Sequence, residues 1–236
     1  MMANSGKFIS VTFALILLAA GCSKNESSPT ESQSATPPLP SIVFKGPGNS
    51  ANDPSLVLLR SYVANVNSFA TTVAPLALST PVQSGGTWEW TYINKTLTLL
   101  LTAATQTDGT YLWKLMFNGV DPVDGTTYDH WLGVDGTTSA DGKTGSGKTY
   151  VRNKTQVSSE FNWATTNNIL TGTLKPYING IAFGQTVVVN NPDNSGELRV
   201  YTGSVLVYKA MWQTNGSGQW WSYDANGAQT STGTWM

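Results

Sequence analysis

The pattern of hydrophobic and polar positions changes period once along this chain. Between residues 54 and 74, Leu56, Leu59, Val63, Val66, Ala70 and Val73 recur at steps of three and four. That spacing puts apolar side chains on one stripe of an α-helix. Asp53-Pro54 supplies its start, an N-cap followed by proline at the first helical position, and Pro75 supplies its stop. Arg60, Asn67 and Ser68 fall off the stripe. From Trp88 onward the period is two. Trp88, Trp90 and Tyr92 alternate with Glu89 and Thr91. Tyr111, Trp113, Leu115 and Phe117 alternate likewise, although Leu112 and Met116 make the second face partly apolar. Residues 169–174, 186–189, 198–201 and 205–212 are further short runs of strand formers.

Turn chemistry separates these runs. Asp-Gly occurs at 108, 124, 135 and 141, and Asn-Gly at 118, 179, 215 and 226. Both dipeptides accept the positive φ that tight hairpins require. The pattern predicts an all-β domain, an antiparallel meander of about nine to eleven strands with one N-terminal amphipathic helix near 54–74 packed on it. A meander of that length twists and curls, so a curved sheet or open barrel is expected, with a two-sheet sandwich as the alternative. Residues 218–227 with Gly233-Thr234-Trp235 loosely echo Gly86-Thr87-Trp88-Glu89-Trp90 and read as a last hairpin rather than a repeat.

The first residues have a different character. Lys7 precedes an apolar run from Phe8 to Ala20, too short for a helix to cross the roughly 30 Å of a bilayer core. A positive residue, a short apolar core and small residues describe a secretory signal. Leu18-Ala19-Ala20-Gly21-Cys22 resembles the lipobox of bacterial lipoproteins, with Ala19 where leucine is commonest. The resemblance implies a signal peptide over 1–21, diacylglycerol on the Cys22 thiol, cleavage before Cys22 and acylation, typically by palmitate, of the new amino group. Ser23, rather than aspartate, follows the cysteine, which by the same resemblance favours the outer membrane in a Gram-negative cell envelope. Cys22 is the only cysteine, so no internal disulfide is available and the domain rests on packing. Residues 22–41, dominated by Ser, Thr, Pro and Glu, lack the apolar surface to offset chain entropy and read as a disordered tether. The single β-rich domain is then 42–236.

Charge is sparse and balanced, 13 Lys and Arg against 14 Asp and Glu. Nothing in that distribution points to nucleic acid, which needs clustered cations. Gly142-Lys143-Thr144-Gly145-Ser146-Gly147-Lys148-Thr149 fits the P-loop formula. A strand must lead into such a loop and a helix out of it to hold phosphates. Here a loop leads in and strand-like residues lead out, so it reads as a Gly-rich hairpin and nucleotide is not expected. No cofactor and no metal is expected either. His130 is the only histidine, which excludes zinc sites needing two, and Asp129 should face away from it on a strand. The Asn191, Asp193, Ser195, Gly196 sequence starts like a calcium loop, but Thr202 stands where the bidentate glutamate belongs.

Nine tryptophans carry the functional expectation. A large sheet, a helix lid, many aromatics and a lipid anchor resemble the architecture of lipoprotein carriers with an open barrel. The domain also resembles uncharacterised bacterial lipoproteins rich in Gly-x-Trp and Asn-Gly pairs. The expected function is a membrane-anchored, non-catalytic binding domain for a lipid or other small amphiphile. Val63, Val66, Trp88, Trp90, Tyr111 and Trp113 are the candidate liners. A structural or adhesive surface lipoprotein with a filled core is the alternative. The third reading is an extracytoplasmic hydrolase in which two of Glu89, Glu160 and Glu197 meet at glycosidase spacing.

Overall fold

The helical stripe is buried as its spacing demands, but the helix itself is broken. The computed structural model describes residues 35–40, 42–48 and 54–236, with the side chains of residues 54 and 55 excepted; the signal peptide, Cys22 and Asp53 lie outside the described residues. Leu56, Leu59, Val63, Val66, Ala70 and Val73 are all buried. They sit on α1 (Pro54–Val66) and α2 (Ser68–Val73), followed by a 3-10 turn over Ala74–Leu78, rather than on one helix to residue 74. The break falls at Asn67, whose side chain is engaged elsewhere, as described below. Pro75 does not end the helical layer. It sits at the start of the 3-10 turn, where a missing N–H costs nothing.

Among the described residues, fourteen strands form one open antiparallel sheet: β1 (Val82–Ser84), β2 (Thr87–Asn94), β3 (Leu97–Thr105), β4 (Tyr111–Val120), β5 (Thr127–Thr138), β6 (Thr144–Tyr150), β7 (Val157–Thr166), β8 (Ile169–Ile178), β9 (Ile181–Ala182), β10 (Gly184–Asn190), β11 (Gly196–Thr202), β12 (Val205–Trp212), β13 (Gly218–Tyr223) and β14 (Gln229–Trp235). Neighbours in sequence are neighbours in the sheet, except that β9 pairs only β8 and β10 takes the place beside β8. The meander is as expected; the strand count exceeds the expected nine to eleven. The excess comes from β1 and β9, too short to show a period, and from β3, whose Leu99-Leu100-Leu101 run hides the alternation. Strand β6 also adds to it, since it occupies most of the P-loop-like stretch. Of the eight Asp-Gly and Asn-Gly pairs, those at 118 and 135 lie inside β4 and β5, and the other six lie between strands.

One sheet face carries the core. Leu97, Leu99, Leu101 and Ala103 of β3 are buried while the even-numbered residues between them are not, and Gly184 to Asn190 of β10 alternate in the same way. Register therefore decides burial residue by residue. Phe69 of α2 stacks on Phe161 of β7 at 4.4 Å, and Tyr62 of α1 meets Tyr208 of β12 at 5.8 Å.

A recurrent device holds one end of the sheet. Three times, a tryptophan lies directly across from a glycine on the preceding strand: Trp163 on Gly145, Trp212 on Gly196 and Trp235 on Gly218. In each case a Cβ on the glycine would stand 2.3 Å from the indole, so any other residue would expel the ring. Each indole N–H donates to the turn that leads into the glycine strand. Trp163 reaches the Gly142 carbonyl at 3.1 Å, Trp212 that of Asn194 at 3.1 Å, and Trp235 that of Gly216 at 2.6 Å. The ring fills the volume a side chain would take and spares the indole an unpaired donor. The chain thus does contain a structural repeat. It links these three hairpins, not the Gly86–Trp90 segment, whose Trp88 Nε1 is buried without a hydrogen-bond partner.

Residues 36–40 and 42–48 form part of the domain. The compact unit runs from Thr36 to Met236, and Pro37 and Pro40, assigned above to the tether, are buried. Two asparagines hold this strap through its backbone. Asn67 accepts from Phe44 N–H and donates to its carbonyl, both at 2.8 Å. Asn190 does the same for Lys45 at 2.7 and 2.8 Å. The Phe44 ring lies over Gly172 of β8, where a Cβ would sit 2.1 Å from it. Composition marked residues 22–41 as unable to fold alone; for the described part from residue 36 onward, the sheet and α1 supply the surface it lacks.

A candidate ligand cleft between helix and sheet

The six expected liners all belong to one extended core cluster, and none of them lines the larger cleft described below. Val63, Val66, Trp88, Trp90, Tyr111 and Trp113 are each no more than 9 % exposed. Trp113 packs 5.4 Å from Trp90 and 6.3 Å from Tyr111, ring centre to ring centre, and its N–H donates to Thr138 Oγ1 at 2.8 Å. The space left beside Phe69, Leu101, Trp113 and Phe161 is about 10 Å³, about one water. The aromatic side chains that suggested a lined cavity fill it instead.

A larger opening lies further along the same helix. Tyr62, Asn65 and Ser68 face Leu174 and Pro176 of β8, Gln185 and Thr186 of β10, Val200 and Tyr201 of β11 and Val207 of β12 across a cleft of about 360 Å³. Phe183, 54 % exposed, stands at its mouth. The β8–β9–β10 turn places it there through Phe183 N–H to the Pro176 carbonyl at 2.9 Å and Gly203 N–H to the Phe183 carbonyl at 3.0 Å. The lining contains no Asp, Glu, Lys, Arg or His. Its chemistry is that of an apolar wall with hydroxyl and amide groups at intervals. It offers no carboxylate, imidazole or amine, and no charge to pair with a charged ligand. The sequence reading missed this site because its residues come from seven elements and share no period.

Strand β5 corrects a second expectation. His130 takes a left-handed φ of +47° at an irregular stretch of the β4–β5 pairing. The strict alternation that would turn Asp129 away is lost there, and His130 Nδ1 lies 2.9 Å from Asp129 Oδ1. Both side chains are well exposed. They stand beside a surface trough formed by Trp131, Leu132, Tyr150 and residues 153–155. Trp131 N–H donates to the Lys154 carbonyl at 3.1 Å, and Arg152 binds the Asp124 carboxylate. The Asp124 carboxyl is held down to about 2, first by the Thr126 N–H, then by the Thr126 hydroxyl and Arg152. A depressed carboxyl contributes stability above its ordinary value of 3.8 and loses it as pH falls through about 2. NMR titration should give Asp124 a midpoint near 2, and Arg152→Ala should raise it; an unshifted carboxyl would refute the clamp.

The carboxylates do not pair. Glu89, Glu160 and Glu197 lie on β2, β7 and β11. The nearest two are three strand steps apart, about 14 Å along the sheet, beyond the roughly 5–9.5 Å that glycoside hydrolysis uses. Glu160 belongs instead to a charge ladder across five strands, in register as Lys114, Asp135, Lys148, Glu160 and Lys175. Tyr150 and Tyr177 donate to Asp135 and Glu160 at 2.9 Å each, and burial, then that bond to Asp135, pushes the Tyr150 hydroxyl up to about 12. The P-loop-like stretch is the β5–β6 turn followed by strand β6, with no helix after it. Asn191 to Ser195 is a hairpin turn in which Asp193 accepts from Ser195. Among the described residues no three His, Cys, Asp or Glu side chains gather as metal ligands.

Compared with known protein families the chain matches none, and no curated protein matches it.

Proposed function

We propose that this chain is a bacterial lipoprotein, anchored in the cell envelope by lipid on Cys22, whose β domain is a non-catalytic binding module for a small uncharged amphiphile. The observation that carries the reading is the cleft of about 360 Å³ between the helical layer and the sheet, lined without a single Asp, Glu, Lys, Arg or His. That volume lies within the range of small-molecule sites, roughly 300–1,000 Å³. The ligand's apolar body lies against Leu174, Val200 and Val207, and its neutral polar groups reach Asn65, Ser68 and Gln185 at the rim. The sheet curls toward the helical layer and presents this mouth, while Phe183 covers the bound molecule. In a Gram-negative host the outer membrane is the favoured site, from Ser23. The filled interior supports a second reading, a structural or adhesive surface lipoprotein.

The test is to purify the full chain from bacterial membranes and analyse it by mass spectrometry. The expected result is an N-terminal peptide that begins at lipidated Cys22, and a neutral amphiphile recovered near one per chain. Phe183→Glu, a change at an exposed side chain, should weaken binding of an apolar dye by tenfold or more. A chain that carries no small molecule and binds dye equally with Glu at 183 would transfer support to the structural reading.

A further inference from the structure

The two ends of an open sheet are its exposed hydrogen-bonding edges, and here they differ. Strand β1 is three residues long and follows Pro81, which blunts that edge. Strand β14 runs Gln229-Thr230-Ser231-Thr232-Gly233-Thr234-Trp235 and, among the described residues, pairs on one side only, with β13. Alternate residues of an antiparallel edge turn their N–H and C=O groups outward. Edge strands are ordinarily guarded by charge, by proline, by brevity or by a bulge. Strand β14 has no charged residue and no proline, and every residue from Gln229 to Thr232 is exposed.

We infer that β14 is a pairing strand for a second copy of this chain, joined antiparallel about a two-fold axis at Gly233. Pairing over 231–235 then sets Thr232 of one copy opposite Thr234 of the other, and Ser231 opposite Trp235. The irregularity of β14 lies at Thr230, where the register with β13 shifts, and stays outside this ladder. An uncharged strand repels nothing in its own copy, and Thr–Thr cross-strand pairs are favourable. A charged partner strand would find nothing complementary on β14. Since the opposite edge is blunted, the isologous contact closes at two copies instead of propagating as a fibre. The ladder is small beside a standard interface of roughly 1,600 Å², so covalent trapping is the suitable readout.

Full chains carrying Thr232→Cys and Thr234→Cys, with different tags, are co-expressed and oxidised in their membrane. Opposed residues of such a pair fall within disulfide reach. The expected result is a mixed, disulfide-linked dimer, several-fold above that formed when Thr91→Cys, exposed on β2, replaces either partner. Adding Ser231→Lys to both chains should reduce the mixed dimer at least fivefold. A mixed dimer no more abundant than the Thr91→Cys control, or one indifferent to Ser231→Lys, overturns the inference.

Discussion

Replacing Trp212 with alanine is expected to destabilise the domain by about 3–5 kcal/mol, the range for large aromatics removed from a packed core. Trp212 is 3 % exposed and does three things at once. It fills the space over Gly196, adds its ring to the single core cluster, and ties the β10–β11 turn through the Asn194 carbonyl at 3.1 Å. Removing it leaves a cavity that Gly196 cannot fill. Trp221→Ala is the contrasting change. Trp221 alternates to the outer face, where Lys209 Nζ lies 5.5 Å from its ring centre, a half-buried contact worth about 1 kcal/mol. Denaturant unfolding of both variants checks the difference. Equal losses for Trp212→Ala and Trp221→Ala would show that the glycine–tryptophan device does not carry the stability assigned to it.

The second large effect is at Asn190. This buried side chain satisfies both the N–H and the carbonyl of Lys45. Asn190→Ala leaves both backbone groups without their partner, at about 1–3 kcal/mol for each group that water does not reach. Since Lys45 is exposed, the expected total is about 2 kcal/mol. The strap over residues 36–48 should loosen as a unit, so limited proteolysis should cut it sooner in the variant while the sheet stays intact. Asn67→Ala acts on the adjacent residue, Phe44. The double variant should therefore lose less than the sum of the singles, since a strap already released has nothing further to give. A strap cleaved at the wild-type rate in both single variants would refute the clamp.

The same asparagines show where sequence reading stops. Asn67 was legible as a residue off the apolar stripe, which is correct for the helix's contact with the sheet. That its amide would face a strap more than twenty residues upstream depends on where that strap lies, and no period records it. His130 and Asp129 make the same point from the other side. Alternation correctly assigns faces along regular strands, but a single left-handed residue cancels it, and nothing in the residues around His130 announces the irregularity. The candidate liners show a further limit of the pattern. The period of Trp88, Trp90, Tyr111 and Trp113 says that these side chains leave water together. It does not say whether they surround a space or occupy it.

The sequence by itself determined the helical stripe, the period-two strands with their turn residues, and therefore an antiparallel meander. All of these follow from spacing along one chain, because a helix or a hairpin is made by neighbours. Only the tertiary structure decided that the interior is filled, that glycines and tryptophans interlock across strands, that the strap is clamped, and that an uncharged cleft opens beside Tyr62. Those features depend on which distant side chains come to lie opposite one another. The volume between two faces is a property of both, and neither face carries it in its own pattern.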